Sequence, residues 1–254
     1  MKTLACIKRV PDTGASIVLT PDRQQIDASN LGYTMSPHEE CAIEGAVQLA
    51  EDQNGTATVL TLGPEAAIEQ LRTGLAMRAN DAILLETDGA EWPPAATAAA
   101  IAEGIQTIEA ETNPFDLLLF GNESADQENY QVGVRVAHTL GRPCVTGIKE
   151  ITVDGDTLTA HHEVPGGSEV YELDMPAVVT VKEGLNSPRY PSMRSKMQAR
   201  RQEVRRLEPT GSGDGIERIE LLTPETDDAP AEILGDGPDA VPAVVDILDG
   251  LGVL

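Results

Sequence analysis

The 254-residue sequence predicts an α/β protein: a mainly parallel sheet with helices on both faces, joined to an antiparallel meander and an extended C-terminal arm. Three observations predict it. Short runs that are apolar throughout alternate with stretches of helical periodicity, and strands without a polar face belong to a parallel sheet covered on both sides. After Pro143 the pattern changes to alternating runs separated by turn residues, the mark of an antiparallel meander. Residues 208–254 hold twelve acidic residues against one base, Arg218, with many Gly and Pro, and such a stretch cannot build a core of its own. The expected division is a domain at 1–207 and an arm at 208–254 that lies along another surface.

Each element has a local reason. Residues 3–7 ("TLACI") form a buried strand. "ASIVLTPDRQQID" is polar with β character, and Pro21-Asp22 mark a hairpin turn. "SPHEECAIEGAVQLAED" carries helix-start grammar: Ser36 caps, Pro37 fits the first helical position and Glu39 completes a capping box. Residues 57–62 are the next strand and "GPEAAIEQLRTGLAMRA" the next helix. Strand 82–86, the helix in "PPAATAAAIAEGIQTIEAE" and strand 116–120 continue the alternation. "NYQVGVRVAHTLG" is a fourth helix, stopped by Gly141 with Pro143 behind it. In the meander, turns fall at Asp154-Gly155 and Pro165-Gly166-Gly167, and "PAVVTV" is apolar enough to rejoin the sheet.

Composition narrows the function classes. With 18 basic and 42 acidic residues the chain carries a net charge of −24, which repels a phosphate backbone and argues against nucleic acid as a partner. Only five of the bases are Lys, and a carboxylate-rich, lysine-poor surface suits high salt; the alternative is an ordinary acidic cytosolic protein. No apolar run is long enough to span a bilayer, and no charged start precedes an apolar signal core. Cys6, Cys41 and Cys144 are odd in number without paired spacing, so neither a disulfide framework nor a zinc site is expected. A cytoplasmic chain without membrane insertion or metal follows.

Three strand–helix junctions are candidate anion sites, because a helix N-terminus offers free N–H groups and the positive end of a dipole. They are "GNESADQENYQVG" after strand 116–120, "LGPEA" after strand 57–62, and the capped "SPHEE". The first is longer and more polar than a minimal connection, and an ordinary surface loop is the plain alternative. No P-loop or GxGxxG string occurs. Residues 189–206 hold seven bases (Arg189, Arg194, Lys196, Arg200, Arg201, Arg205, Arg206) against one acid, Glu203. Contact with an acidic partner surface is expected, with internal pairing to the acidic tail as the alternative; Tyr190 and Met193 supply apolar anchors. His161 and His162 are adjacent in a strand and point to opposite faces, so they form no chelating pair. Cys6, in an apolar strand, reads as packing rather than nucleophile, and no catalytic residue is expected.

Several of these strings together resemble the β subunit of electron transfer flavoprotein. They are "CIKRVPDT", "MSPHEECAIEGA", "LGPEAAIEQLRTGLAMRANDAILL", "DLLLFGNESADQENYQVG" and "MPAVVTVKEGLNSPRYPSMRSKMQARR", in order from the first strand to about residue 201. The fold implied is the adenine-nucleotide-binding, Rossmann-like form of the parallel sheet. The resemblance implies a heterodimer whose α subunit carries the redox FAD, with this chain as its shelf and the acidic arm packed on that partner. It also implies a second nucleotide in this chain, AMP or FAD. Its site would comprise Cys6, then Ser36, Pro37, His38 and Glu39, then Leu62, and the loop 121–132: Gly121, Asn122, Glu123, Ser124, Ala125, Asp126, Asn129, Tyr130, Gln131 and Val132. The basic segment would dock flavin dehydrogenases through Met193, flanked by Tyr190, Arg194, Lys196, Arg200 and Arg201, and electrons would pass on to a quinone oxidoreductase.

Departures shape the expectation. Ser36-Pro37-His38 replaces the family's Asn-Pro-aromatic string, and Asn122 stands where a base is usual, which removes a phosphate counter-charge. Thr13 replaces a Tyr frequent in the AMP-binding carriers. "VPDT" and "SMRSKMQARR" are more similar to the Fix-like, bifurcating branch, whose second nucleotide is FAD and which oxidises NADH. A stand-alone adenine-nucleotide sensor of the same architecture is the alternative from another class.

Overall fold

The computed structural model describes residues 1–12, 14–211, 215–216, 218–223 and 232–253; Thr13 lies outside them. Strand β1 (Lys2–Ile7) pairs in parallel with β4 (Thr56–Gly63) on one side and β6 (Leu117–Gly121) on the other. Beyond β4 lie β5 (Asp81–Glu86) and β11 (Arg205–Leu207). Beyond β6 lie β10 (Ala177–Val181) and the meander β7 (Cys144–Asp154), β8 (Thr157–Val164) and β9 (Gly167–Asp174). The expected parallel sheet, the meander and the return of "PAVVTV" to the sheet are all present. A separate two-stranded ribbon, β2 (Val10–Pro11) with β3 (Tyr33–Thr34), flanks it. The hairpin around Pro21-Asp22 is reduced to a single bridge between Leu19 and Ile26.

Both faces of the sheet are covered because successive strand residues point to opposite sides. Ala5, Ile7, Leu117, Leu119 and Val179 pack under α1 (Pro37–Asp52) and α2 (Ile68–Ala76). Leu4, Cys6, Leu118, Phe120 and Val178 pack under α3 (Pro94–Glu111) and α4 (Val132–Leu140). The helix after β1 carries the chain toward β4 and β5, whereas α3 carries it back past β1 to β6. The chain therefore reverses direction between β1 and β6, the position at which open α/β sheets bind their ligands.

The basic run is not one limb. Met193–Ala199 form α5, and Arg205–Leu207 join the sheet as β11. Three of its arginines pair with carboxylates of the α/β body rather than with the acidic stretch that follows: Arg189 with Glu44 and Glu51, Arg205 with Glu111, Arg206 with Glu65 and Glu86. The first compact unit runs from Met1 to Ile219, twelve residues past the expected boundary at 207. The second, Glu220–Leu254, contains α6 (Val241–Gly250), which buries none of its residues.

Helix-on-sheet contact is close at Gly74 of α2. A Cβ there would lie 2.8 Å from Val59 Cγ1, and a β-branched valine has little rotamer freedom to yield. Alanine would add about 1 kcal/mol of helix propensity, but overpacking costs about 1–3 kcal/mol. Gly74→Ala is therefore expected to lower the urea midpoint. An unchanged or higher midpoint would mean that α2 can lift from the sheet at no cost.

Candidate functional site

The C-terminal ends of β1 and β6 meet at one buried carboxyl group, that of Glu39. Helix α1 starts at the capping box read from sequence: the Ser36 hydroxyl accepts from the Glu39 N–H at 3.3 Å, and Glu39 Oε2 accepts from the Ser36 N–H at 2.8 Å. The other oxygen, Oε1, accepts the Lys8 N–H at 2.6 Å, so the side chain clasps the end of β1 to the start of α1. Gly121, at the end of β6, leaves room for it. A Cβ there would come within 2.8 Å of Glu39 Cγ and 3.3 Å of His38 Cβ. Burial pushes the Glu39 pKa up to about 8, against the lowering effect of its bonds to Ser36 and Lys8. Cys6 is buried beside it, and its thiol is pushed well above the ordinary range by burial and then by the Glu39 charge. That makes Cys6 a packing residue rather than a nucleophile.

The loop between β6 and α4 closes over this clasp. The Ser36 hydroxyl reaches the Glu123 carbonyl at 3.5 Å, and His38 Nε2 lies 3.4 Å from Glu123 Oε1. His38 Nδ1 and Glu123 Oε2 are buried and have no hydrogen-bond partner among the described residues. Asn122 turns away: its N–H donates to the Val181 carbonyl at 2.9 Å and its side-chain oxygen accepts the Thr180 hydroxyl at 2.8 Å. Asn129 bonds Gln127 within the loop, and Gln131 accepts from Arg135, so neither caps α4. The first turn of α4 has no side-chain cap. Glu128 and Tyr130 hold φ values of 47° and 55°, a strained conformation for non-glycine residues, and Tyr130 is 54% exposed. Ser124, Ala125 and Val132 are half-buried, Pro37 is exposed, and Leu62 sits half-buried at the end of β4.

Three charged residues at the open end were absent from the sequence-level set. Lys8 Nζ lies 2.6 Å from Asp126 and 3.6 Å from Glu91, and Glu91 also accepts from Gln127 and Arg218. Glu91 and Arg218 are single charges in loops, with no spacing that could have marked them.

The docking residues lie elsewhere, beyond β10. Tyr190, Met193 and Met197 are 88%, 74% and 57% exposed. Met193 and Met197 share one side of α5 by i,i+4 spacing, a signal that singles out Met197 as well. Lys196 Nζ stands 4.8 Å from the Tyr190 ring centroid. Arg194, Arg200 and Arg201 are exposed and form no ion pair among the described residues. The base of this segment is held by Arg189, whose guanidinium bonds the buried Glu44 at 2.8–3.1 Å.

Comparison with known proteins completes the picture. The family model described as the electron transfer flavoprotein domain matches residues 24–212. A protein named electron transfer flavoprotein subunit beta from Megasphaera elsdenii is 35% identical over 214 residues, covering 82% of this chain and 78% of its own. Proteins of the same name from Bacillus subtilis (34% identity, 82% and 79% coverage) and Bradyrhizobium diazoefficiens (32%, 87% and 88%) are also similar. The chain belongs to the electron transfer flavoprotein beta-subunit family. The matched region of this family member holds α1, the loop after β6 and the exposed face of α5, whereas Cys6 and Lys8 precede it. Among the described residues no helix is long and apolar enough to cross a membrane.

The Glu39 clasp has a pH signature. Its folded pKa, about 8, stands above the ordinary value of 4.5, so the folded state holds the proton more tightly than the unfolded state. The associated stability is present below about pH 4.5 and is lost as pH rises through about 8. Urea midpoints measured at pH 5 and pH 9 should fall more for the natural chain than for Glu39→Gln. Equal falls would show that Glu39 does not titrate in this range.

Proposed function

We propose that this chain is the β half of a heterodimeric electron carrier. Paired with an α subunit that carries the redox FAD, it accepts electrons from flavin dehydrogenases and delivers them toward the quinone pool. A second adenine nucleotide, AMP or FAD, binds in the crevice between β1 and β6. The observation that supports this most is the orphaned pair His38 Nδ1 and Glu123 Oε2, buried beside the uncapped start of α4 at the sheet's switch point. Polar atoms left unmet at that position fit a ligand with ring nitrogens, hydroxyls and phosphates.

This chain's residues hold and shield rather than react. Gly121 lets the Glu39 clasp sit against the end of β6, His38 Nδ1 and Glu123 Oε2 offer unmet polar atoms, and the uncapped N–H groups of α4 attract negative charge. A bound flavin supplies the redox couple. The exposed side of α5 presents Met193, with Tyr190 and Met197 beside it, as the anchor for a dehydrogenase, and Arg194, Arg200 and Arg201 orient the encounter. The apolar surface of α6, with Val244, Val245 and Ile247 each more than two-fifths exposed, supports packing of this helix on the α subunit.

Nucleotide extracted from the purified heterodimer tests the site. One FAD with one AMP fits the plain carrier, and two FAD fit the NADH-oxidising, bifurcating form. No adenylate beyond the companion's flavin overturns the proposal, as does a stable ATP-binding monomer, which is the behaviour of a stand-alone sensor. For docking, Met193→Glu should raise KM for the dehydrogenase about tenfold or more, because a carboxylate replaces a buried apolar anchor. Nucleotide content should stay unchanged. Unaltered KM would remove α5 from the docking role.

A further inference from the structure

A nucleotide's phosphates need counter-charge, and the loop after β6 does not supply it: residues 121–132 contain no Lys or Arg. Arg9, the next basic residue after Lys8, stacks on the Tyr33 ring at 3.3 Å. Two cations from outside the loop instead meet at its open end. Lys8, two residues past Cys6, sits between Asp126 (2.6 Å) and Glu91 (3.6 Å). Arg218, 127 residues further along the chain than Glu91, reaches the same carboxylate and also donates to the Gln24 carbonyl at 3.2 Å. The Gln24 amide answers with a bond to the Ile219 carbonyl at 2.7 Å, so the Arg218 segment is fastened from both directions. Gln127 ties the long loop to Glu91 as well. The side chains of Lys8, Glu91 and Arg218 are each about one-third exposed (35%, 37% and 34%), open enough to exchange partners.

We propose that Lys8 and Arg218, gathered on Glu91 at the mouth of the crevice, are the cations that bind the phosphates of the nucleotide, and that Glu91 is the carboxylate the phosphates displace from them. This rests on the nucleotide reading given above. The arrangement is electrically balanced without ligand, two cations against Glu91 and Asp126. A phosphate takes over from Glu91 the contacts that a carboxylate already satisfies, a guanidinium fork and an ammonium point charge. Glu91 thereby competes with the ligand and lowers its affinity, while Lys8 and Arg218 raise it.

Heterodimer depleted of its adenylate and titrated calorimetrically with AMP and with FAD tests this. Glu91→Gln should tighten binding on the order of fivefold at 0.1 M salt, the effect of one unit charge a few ångströms away in water. The gain should shrink toward 1 M salt, where screening falls to roughly 3 Å. Arg218→Gln and Lys8→Gln should each weaken binding by a similar factor. If Glu91→Gln weakens binding or leaves it unchanged, Glu91 only fastens the loop and the proposal falls. A natural heterodimer that binds neither AMP nor FAD would overturn the nucleotide reading itself.

Discussion

Burying the Glu39 carboxyl group removes two polar oxygens from water, and only an arrangement in which both are bonded offsets that loss. The two acceptors meet the Lys8 and Ser36 N–H groups, one at the end of β1 and one at the start of α1. Removing either contact would strand a buried polar oxygen, so the clasp holds the strand end, the helix start and Gly121 in one geometry. Helix α1 then carries that geometry outward. Glu44 lies about one and a half turns further along, buried, and receives Arg189 at the base of the docking segment. The Glu39 clasp and the exposed face of α5 are thus connected through one helix.

The arginines divide into two groups by what they meet. Arg142 is nearly buried and bonds both oxygens of Glu109, tying the end of α3 to the turn after α4. Arg189, Arg205 and Arg206 sit on carboxylates of the body. Partnered arginines of this kind fasten elements and neutralise acid, which matters in a chain of net charge −24. Arg194, Arg200 and Arg201 stand beside exposed Tyr190 and Met193 without such partners among the described residues. Clustering in sequence had merged the two groups, and only tertiary contacts separate them.

What the sequence made legible follows the range of each interaction. The α1 capping box depends on residues three apart, and it formed with both bonds that Ser36 and Glu39 imply. Apolar runs named the central strands because a strand buried on both faces has no polar alternation to confuse with anything else. β11 was not legible: Arg205-Arg206-Leu207 has no apolar pattern, and it became a strand because β5 offered an unpaired parallel edge. Lys8, Glu91 and Arg218 were invisible for the same reason, since only the packed loops bring together residues so far apart. The positions taken from family resemblance came together at the crevice around Cys6, Ser36, His38, Glu39 and Glu123, while Asn122, Asn129 and Gln131 turned their side chains to other partners.

In the proposed docking role, charge and apolar contact divide the work by distance. Attraction between an anionic body and its surroundings acts over roughly 10 Å at 0.1 M salt and over about 3 Å at 1 M. The exposed arginines near α5 can therefore orient an approaching acidic surface only in dilute salt, and their contribution fades as salt rises. Burial of Met193, Met197 and Tyr190 does not fade, because removal of apolar surface from water is insensitive to such screening. A face that combined both would keep its grip when steering is lost. That combination suits a lysine-poor, carboxylate-rich protein whose long-range field would otherwise repel acidic partners.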